Sequence, residues 1–255
     1  MTKKVFLSAG HGGPDPGAVA YNLKEKDINL QILLACKSEL ERHGVTVVTS
    51  RLKDENDPVQ EETREANASG ADIAVSFHTN AGRGDGSESY YYVGSKEGEK
   101  LAKLCEKYTK ALGQNSRGIK SGKHLYFVKN TKMPAVLSEC AFVDNDADND
   151  IIDTVAEQKA FGIAYAKAIL EYFNIAYLSE DTKTTTKESE SFKVRVSITN
   201  LNIRSGAGTD FAKRGIVKPG VYTIVETKNG KGSSKGWGKL KSGAGWISLD
   251  YTEKA

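Results

Sequence analysis

Four residues combine types used in hydrolytic chemistry with positions that could bring them together. His11 follows the short apolar run Val5 to Ser8, His78 follows Ile73 to Phe77, and Glu139 stands at the end of Ala135 to Ser138. Glu25 lies just ahead of an amphipathic pattern that starts near Asp27, on the loop that His11 opens. In open α/β sheets, sites form outside the carboxyl ends of the strands, so two histidines and two glutamates could meet along one edge. Imidazole nitrogen and carboxylate oxygen suit Zn²⁺, and a catalytic zinc site takes three protein ligands and keeps one position for water. Each residue alone has a plainer reading. A histidine after a strand is usually a satisfied loop residue, and a glutamate near a helix start usually serves the helix dipole.

The elements that would position these residues are readable from hydrophobic period. Ile28, Ile32, Cys36 and Leu40 recur at i+4 and predict a helix from Asp27 to Arg42, closed by Gly44. His43 is expected at that helix's C-terminus. Val45–Thr49, Ser89–Val93 and Leu125–Val128 read as further strands, and Pro58 opens a helix that ends near Gly70. Lys96–Leu112 and Ala156–Phe173 read as helices. Continuous apolar strands alternating with amphipathic helices predict an open, mostly parallel twisted sheet with flanking helices. From about Phe192 the helical period disappears. Turn signals such as Lys218-Pro219-Gly220 and Asn229-Gly230 predict a small all-β barrel.

The 255 residues are therefore divided into a first domain over 1–175, a polar linker over 176–191 and a second domain over 192–255. The net charge of +3 hides an asymmetry: from Phe192 onward nine Lys and three Arg face two Asp and two Glu, a balance of +8 that leaves −5 for the rest. A basic C-terminal segment points to an anionic partner. The three cysteines Cys36, Cys105 and Cys140 are too scattered for a disulfide framework and are expected as buried thiols. No apolar run reaches the length of a membrane span, so no membrane insertion is expected. The basic opening Met1 to Gly10 has too short an apolar stretch for a signal peptide and reads as the first strand, which predicts synthesis in the cytoplasm without a signal peptide.

Three ordered motifs sharpen the picture. Gly10-His11-Gly12-Gly13 with Asp15-Pro16-Gly17-Ala18 and Lys24-Glu25-Lys26, then Arg64-Glu65-Ala66-Asn67 with Asp72 to Ala81, then Met133-Pro134-Ala135-Val136-Leu137-Ser138-Glu139, resemble the zinc-dependent N-acetylmuramoyl-L-alanine amidases of the amidase-3 family. The resemblance runs from about Lys3 to Phe173. It implies zinc ligands at His11, Glu25 and His78, a catalytic Glu139 that is not a ligand, and peptidoglycan as substrate. The implied reaction hydrolyses the amide between the lactyl group of N-acetylmuramic acid and L-alanine. Zinc would activate water, Glu139 would carry the proton to the leaving amine, and Asn80 is a candidate oxyanion donor. One departure is Ala141, where family members usually carry glycine before the residue matching Phe142; it bears on strand packing rather than chemistry.

Asn200 to Gly206, Lys235 to Leu240 and Gly245 to Ser248 resemble a bacterial SH3 domain, which implies binding to wall peptide or glycan. The positive charge fits anionic wall polymers, whereas the plainer reading is a structural barrel with Trp237 and Trp246 in its core. No nucleic-acid motif is present, so nucleic acid is set aside as a partner. Asp144 to Asp150 fails the calcium-loop pattern, with Asn149 at its sixth position, and reads as a polar loop and helix cap. His124 reads as an exposed strand residue, with a substrate contact at the site rim as the alternative. A wall-lytic enzyme of endolysin or autolysin type, acting on the bacterial wall after release and expected as a monomer, is the leading reading. The alternatives are another zinc peptidase acting on wall peptides and a non-catalytic wall-binding protein.

Overall fold

The computed structural model describes residues 2–179 and 191–255. The chain forms two compact units, Met1–Tyr177 and Leu178–Ala255. The linker reading falls mainly on 180–190, outside the described residues.

In the first unit β1 (Lys4–Ala9) leads into a two-stranded hairpin, β2 (Val19–Ala20) and β3 (Leu23–Lys24), and then α1 (Glu25–Arg42). There follow β4 (Thr46–Thr49), α2 (Val59–Ala68), β5 (Ile73–Asn80), β6 (Ser87–Tyr91), α3 (Lys96–Lys110), β7 (Ser116–Ser121), α4 (Tyr126–Asn130), β8 (Ala135–Phe142), α5 (Asp146–Asn149) and α6 (Val155–Tyr172). The sheet order is β4-β1-β5-β8-β6-β7. Neighbours pair in parallel except β6 with β8, which are antiparallel. The sheet is thus mostly parallel.

Strand alternation divides the core between two faces. Val5, Leu7, Val75 and Phe77 pack with Ile28, Ile32 and Cys36 of α1, Leu101 and Cys105 of α3 and Phe161 and Tyr165 of α6. Phe6, Ala74 and Ala135 point the other way, onto Ala66 of α2 and Phe127 of α4. Helices cover both faces, which is why the central strands are buried on both sides and apolar over Val5 to Leu7, Ile73 to Val75 and Ala135 to Leu137. All three cysteines are buried and free. Thr154 and Glu157 form a capping box at the start of α6.

Several boundaries differ from the sequence reading. Helix α1 begins at Glu25, so this residue stands on the first helical turn rather than on a loop. Strands β5 and β8 run on to Asn80 and Phe142, which places His78 and Glu139 inside strands rather than past their ends. The run Leu125 to Val128 is not a strand: Tyr126–Asn130 is one helical turn that buries Phe127 and Val128 and leaves Tyr126 exposed. A four-residue apolar run carries too little period to tell the two apart. His124 accordingly sits in the turn before α4, exposed, with its ring edge-on to Tyr90. Strand β7, polar and at the sheet edge, has no apolar signature in the sequence.

The second unit is all β: β9 (Phe192–Val196), β10 (Leu201–Arg204), β11 (Lys213–Val217), β12 (Gly220–Lys228), β13 (Trp237–Leu240), β14 (Trp246–Ser248) and β15 (Thr252–Lys254). They pair in the order β11-β10-β14-β13-β12-β9-β15, with antiparallel neighbours. Val194, Val196, Leu201, Val217, Ile224, Leu240 and Ile247 form its core. Trp237 and Trp246 are both buried, and the ammonium groups of Lys228 and Lys239 lie 5.5 and 5.9 Å from the Trp246 ring. No described helix is long and apolar enough to cross a membrane.

Candidate metal centre

His11, Glu25 and His78 converge at the carboxyl ends of β1 and β5, with one potential ligand atom from each lying within 4.8 Å of the others. His11 takes a left-handed conformation, φ 66°, directly after β1. Such backbone is strained for a non-glycine residue and persists where surrounding contacts enforce it. Arg51, whose side chain is fully buried, holds the backbone just before His11. Its Nε donates to the Ala9 carbonyl at 2.9 Å and its Nη2 to the carbonyls of Gly10 at 3.5 Å and Lys26 at 2.7 Å. One guanidinium thus fastens the segment before His11 to the segment after Glu25.

Glu25 is the hub. Its Oε1 lies 3.3 Å from His11 Nε2 and 2.9 Å from His78 Nδ1, and accepts from the Thr79 amide at 3.0 Å and from Asn29 Nδ2 at 3.3 Å. Its Oε2 accepts from the Ala18 amide at 2.9 Å. Burial works against its charge, but hydrogen bonds from His11 and His78 outweigh that and hold its carboxyl well below the usual range. His11 is the counterpart. The hydrogen bond to Glu25 is the largest influence on it, and with Asp15 it overcomes burial and raises the imidazole to about 9. Burial lowers the His78 value, yet Glu25 and the charges of Glu139 and Glu62 shift it upward overall.

The donor set fits a zinc ion. Two imidazoles and a carboxylate are among the known catalytic sets, and an anionic hub with two flanking nitrogens favours a dication where protons otherwise sit. Asp15 Oδ2 accepts from His11 Nδ1 at 2.8 Å, which leaves Nε2 facing Glu25; a carboxylate behind a ligating histidine sets its tautomer and orientation in this way. The glycines beside the group make room for it. A Cβ on Gly10 would meet His78 Cε1 at 2.1 Å, and one on Gly17, whose φ is +64°, would meet Glu25 Oε2 at 2.6 Å.

Glu139 is the fourth sequence candidate, and it belongs to the same surface without joining the hub. It pairs in register with His78 across β5 and β8, and with Glu88 across β8 and β6. Residues opposite one another project from the same face about 5 Å apart, so His78, Glu139 and Glu88 form a row over three strands. One Glu139 oxygen, Oε2, is buried and has no hydrogen-bond partner among the described residues. Burial, with the negative charges of Glu25 and Glu88 against the positive charge of His78, pushes its carboxyl up to about 7. A carboxylate placed like this can take up and release a proton near neutrality.

Asn80, the candidate oxyanion donor, is otherwise engaged: its Nδ2 donates to Glu88 Oε1 at 2.9 Å and its Oδ1 accepts from the Ala81 amide. The acidic loop after β8 is structural. Asp144 accepts from the amides of Gly82 and Arg83, and buried Asp148 from those of Gly86 and Phe142. Sequence reasoning missed Arg51, Asn29 and Glu88, whose roles depend on burial that a lone charged or polar residue does not announce. Asp15 was visible within the first motif, four residues after His11, but carried no assigned role.

The family model described as N-acetylmuramoyl-L-alanine amidase matches residues 5–171. The chain is 35% identical to the N-acetylmuramoyl-L-alanine amidase CwlM of Bacillus licheniformis over 177 residues, covering 68% of this chain and 70% of that protein. It is 41% identical to the endolysin of Bacillus phage SPP1 over 179 residues, covering 64% of this chain and 66% of that one. Among solved structures, the catalytic domain of the amidase CwlV from Bacillus (Paenibacillus) polymyxa var. colistinus superposes with a TM-score of 0.64 at 29% identity, covering 69% of this chain and all of that one. The chain therefore belongs to the N-acetylmuramoyl-L-alanine amidases, enzymes that act on peptidoglycan.

Proposed function

We propose that the first unit is a zinc-dependent amidase domain in which His11, Glu25 and His78 hold the metal and Glu139 carries the proton. The observation that supports this reading is the convergence of those three donors beside an unpartnered carboxylate oxygen of Glu139. Bound zinc would lower the pKa of a water toward ~7 and polarise the scissile carbonyl. Asp15 fixes the His11 ring so that Nε2 faces the hub, and Arg51 holds the backbone on either side. Glu139 accepts a proton from the attacking water and delivers it to the departing nitrogen of L-alanine, which leaves as a neutral amine. A carboxyl raised to about 7 suits a group that must hold the proton between the two transfers.

Residues 192–255, within the second unit, are proposed as an SH3-like wall-binding domain. Its balance of +8 favours anionic wall polymers, and Lys228 and Lys239 beside Trp246 place cations and an aromatic ring together. In this reading the whole chain is a lytic enzyme of endolysin or autolysin type that reaches the wall after release from the cytoplasm, with the endolysin form favoured by its similarity to the phage protein.

Mass analysis of peptidoglycan digested with and without a strong chelator tests the proposal. The expected products are intact sugar strands and peptides with a new amino group on L-alanine, lost on chelation and restored by zinc. New amino groups on other residues would assign the chain to another kind of wall peptidase. Lysis that persists under chelation would remove zinc from the scheme.

A further inference from the structure

The row formed by His78, Glu139 and Glu88 continues onto the edge strand. Glu88 is 3% exposed, and its Oε2 accepts from Arg117 Nε at 2.6 Å and from Lys120 Nζ. Its Oε1 accepts from the Tyr90 hydroxyl at 2.6 Å and from Asn80. Those donors overcome its burial and hold its carboxyl below the usual range, so the Glu88 carboxylate holds both cations, Arg117 and Lys120, at one point of the strand edge.

The cations are presented rather than buried. The Arg117 and Lys120 side chains are 39% and 34% exposed. The Arg117 guanidinium lies 5.0 Å from the Phe142 ring, and only its Nε is used; its two terminal nitrogens make no hydrogen bond among the described residues. A guanidinium with its plane supported and its outer edge open matches a carboxylate, which it can bind through two parallel hydrogen bonds. Strand spacing sets the distance: β7 is two strands from β8, about 10 Å from Glu139. An extended peptide advances about 3.5 Å per residue, so a side-chain or terminal carboxylate one to three residues beyond the scissile amide reaches this point.

We infer that Arg117 and Lys120, held by Glu88, form a carboxylate-recognition subsite that selects substrates whose peptide carries an acidic group shortly after the cleaved alanine. The inference rests on the proposed amidase site, because it takes the reacting amide to lie between Glu139 and the His11–Glu25–His78 group. The site would read charge in the peptide independently of the sugar.

The test compares two synthetic muramoyl peptides that differ only in a glutamate or a glutamine after the alanine. The wild-type protein should cleave the acidic one with a kcat/KM about tenfold higher. That ratio should collapse toward one in Arg117→Gln and in Lys120→Gln, and should be only partly kept in Arg117→Lys, which retains the charge without the fork. Calorimetric titration of the two free peptides into the intact protein reads the same preference without turnover, so absence of cleavage would count against the amidase reading alone. Equal wild-type handling of the two peptides in both measurements would overturn the subsite. So would a preference that survives in both glutamine variants.

Discussion

Glu139 and His78 stand directly opposite one another on adjacent parallel strands, yet only His78 reaches the Glu25 hub. That separation makes a sharp prediction. Glu139→Gln should bind zinc as the wild type does and lose turnover by roughly two to four orders of magnitude, the usual worth of a positioned acid or base. Metal analysis of the purified variant beside an assay on whole walls would decide it. If the metal is lost together with the activity, Glu139 is a ligand and the proposed division of roles fails.

Asp15 touches the substrate in no part of the proposal; it acts through His11, by accepting from Nδ1 at 2.8 Å. Asp15→Asn should weaken zinc binding about 10- to 100-fold, the range found when a partner behind a ligating histidine is changed. Activity should return at saturating zinc. Competition against a chelating dye gives the affinity directly, and an unchanged affinity would reduce Asp15 to a loop brace.

The metal-free protein should show a characteristic alkaline weakness. His11 is raised from 6.5 to about 9 in the folded state, chiefly by its hydrogen bond to Glu25. A raised folded value means the stabilisation is fully present below about 6.5 and disappears as the pH climbs through about 9. At about 1.4 kcal/mol per unit, the wild type should lose about 2 to 3 kcal/mol relative to His11→Gln between pH 7 and 10. Glu139 is also raised in the folded state and so loses stability in the same direction, but in the lower window between 4.5 and about 7, which is why the comparison starts at pH 7. Denaturant titrations of chelated protein would show the slope. Zinc-loaded protein should lack it, because the metal takes the place of the proton.

The sequence spoke most clearly where burial and period coincide. Val5 to Leu7 and Ile73 to Phe77 are buried on both faces, and a central parallel strand leaves that signature. Histidines placed after such apolar runs were bound to emerge along one edge, His11 just past β1 and His78 near the end of β5, and the structure does bring them there together with Glu25. Other features were silent because their cause is tertiary. Strand β7 reads as polar since it lies at the sheet edge, and Leu125 to Val128 has the composition of a strand but buries Phe127 and Val128 from a single helical turn. Arg51 and Glu88 are ordinary charged residues on the page. Only the fold shows that each is enclosed, the first by carbonyls and the second by donors.

Arg51 carries the last prediction. A fully buried guanidinium is costly to desolvate, and burial lowers its proton affinity; the arrangement holds because its N–H groups meet the carbonyls of Ala9, Gly10, Lys26 and Lys53. Lysine cannot reproduce that fork: a single ammonium reaches fewer of the four acceptors and leaves the others buried without donors. Arg51→Lys should therefore destabilise the first unit by about 2 to 4 kcal/mol. Because two of those carbonyls immediately precede His11 and a third immediately follows Glu25, the loss should not stop at stability. Zinc affinity should fall as well, even at temperatures where the variant remains folded by circular dichroism. A variant of full affinity and lowered melting temperature would show that Arg51 supports the fold alone, and that the left-handed turn at His11 is held by its other neighbours.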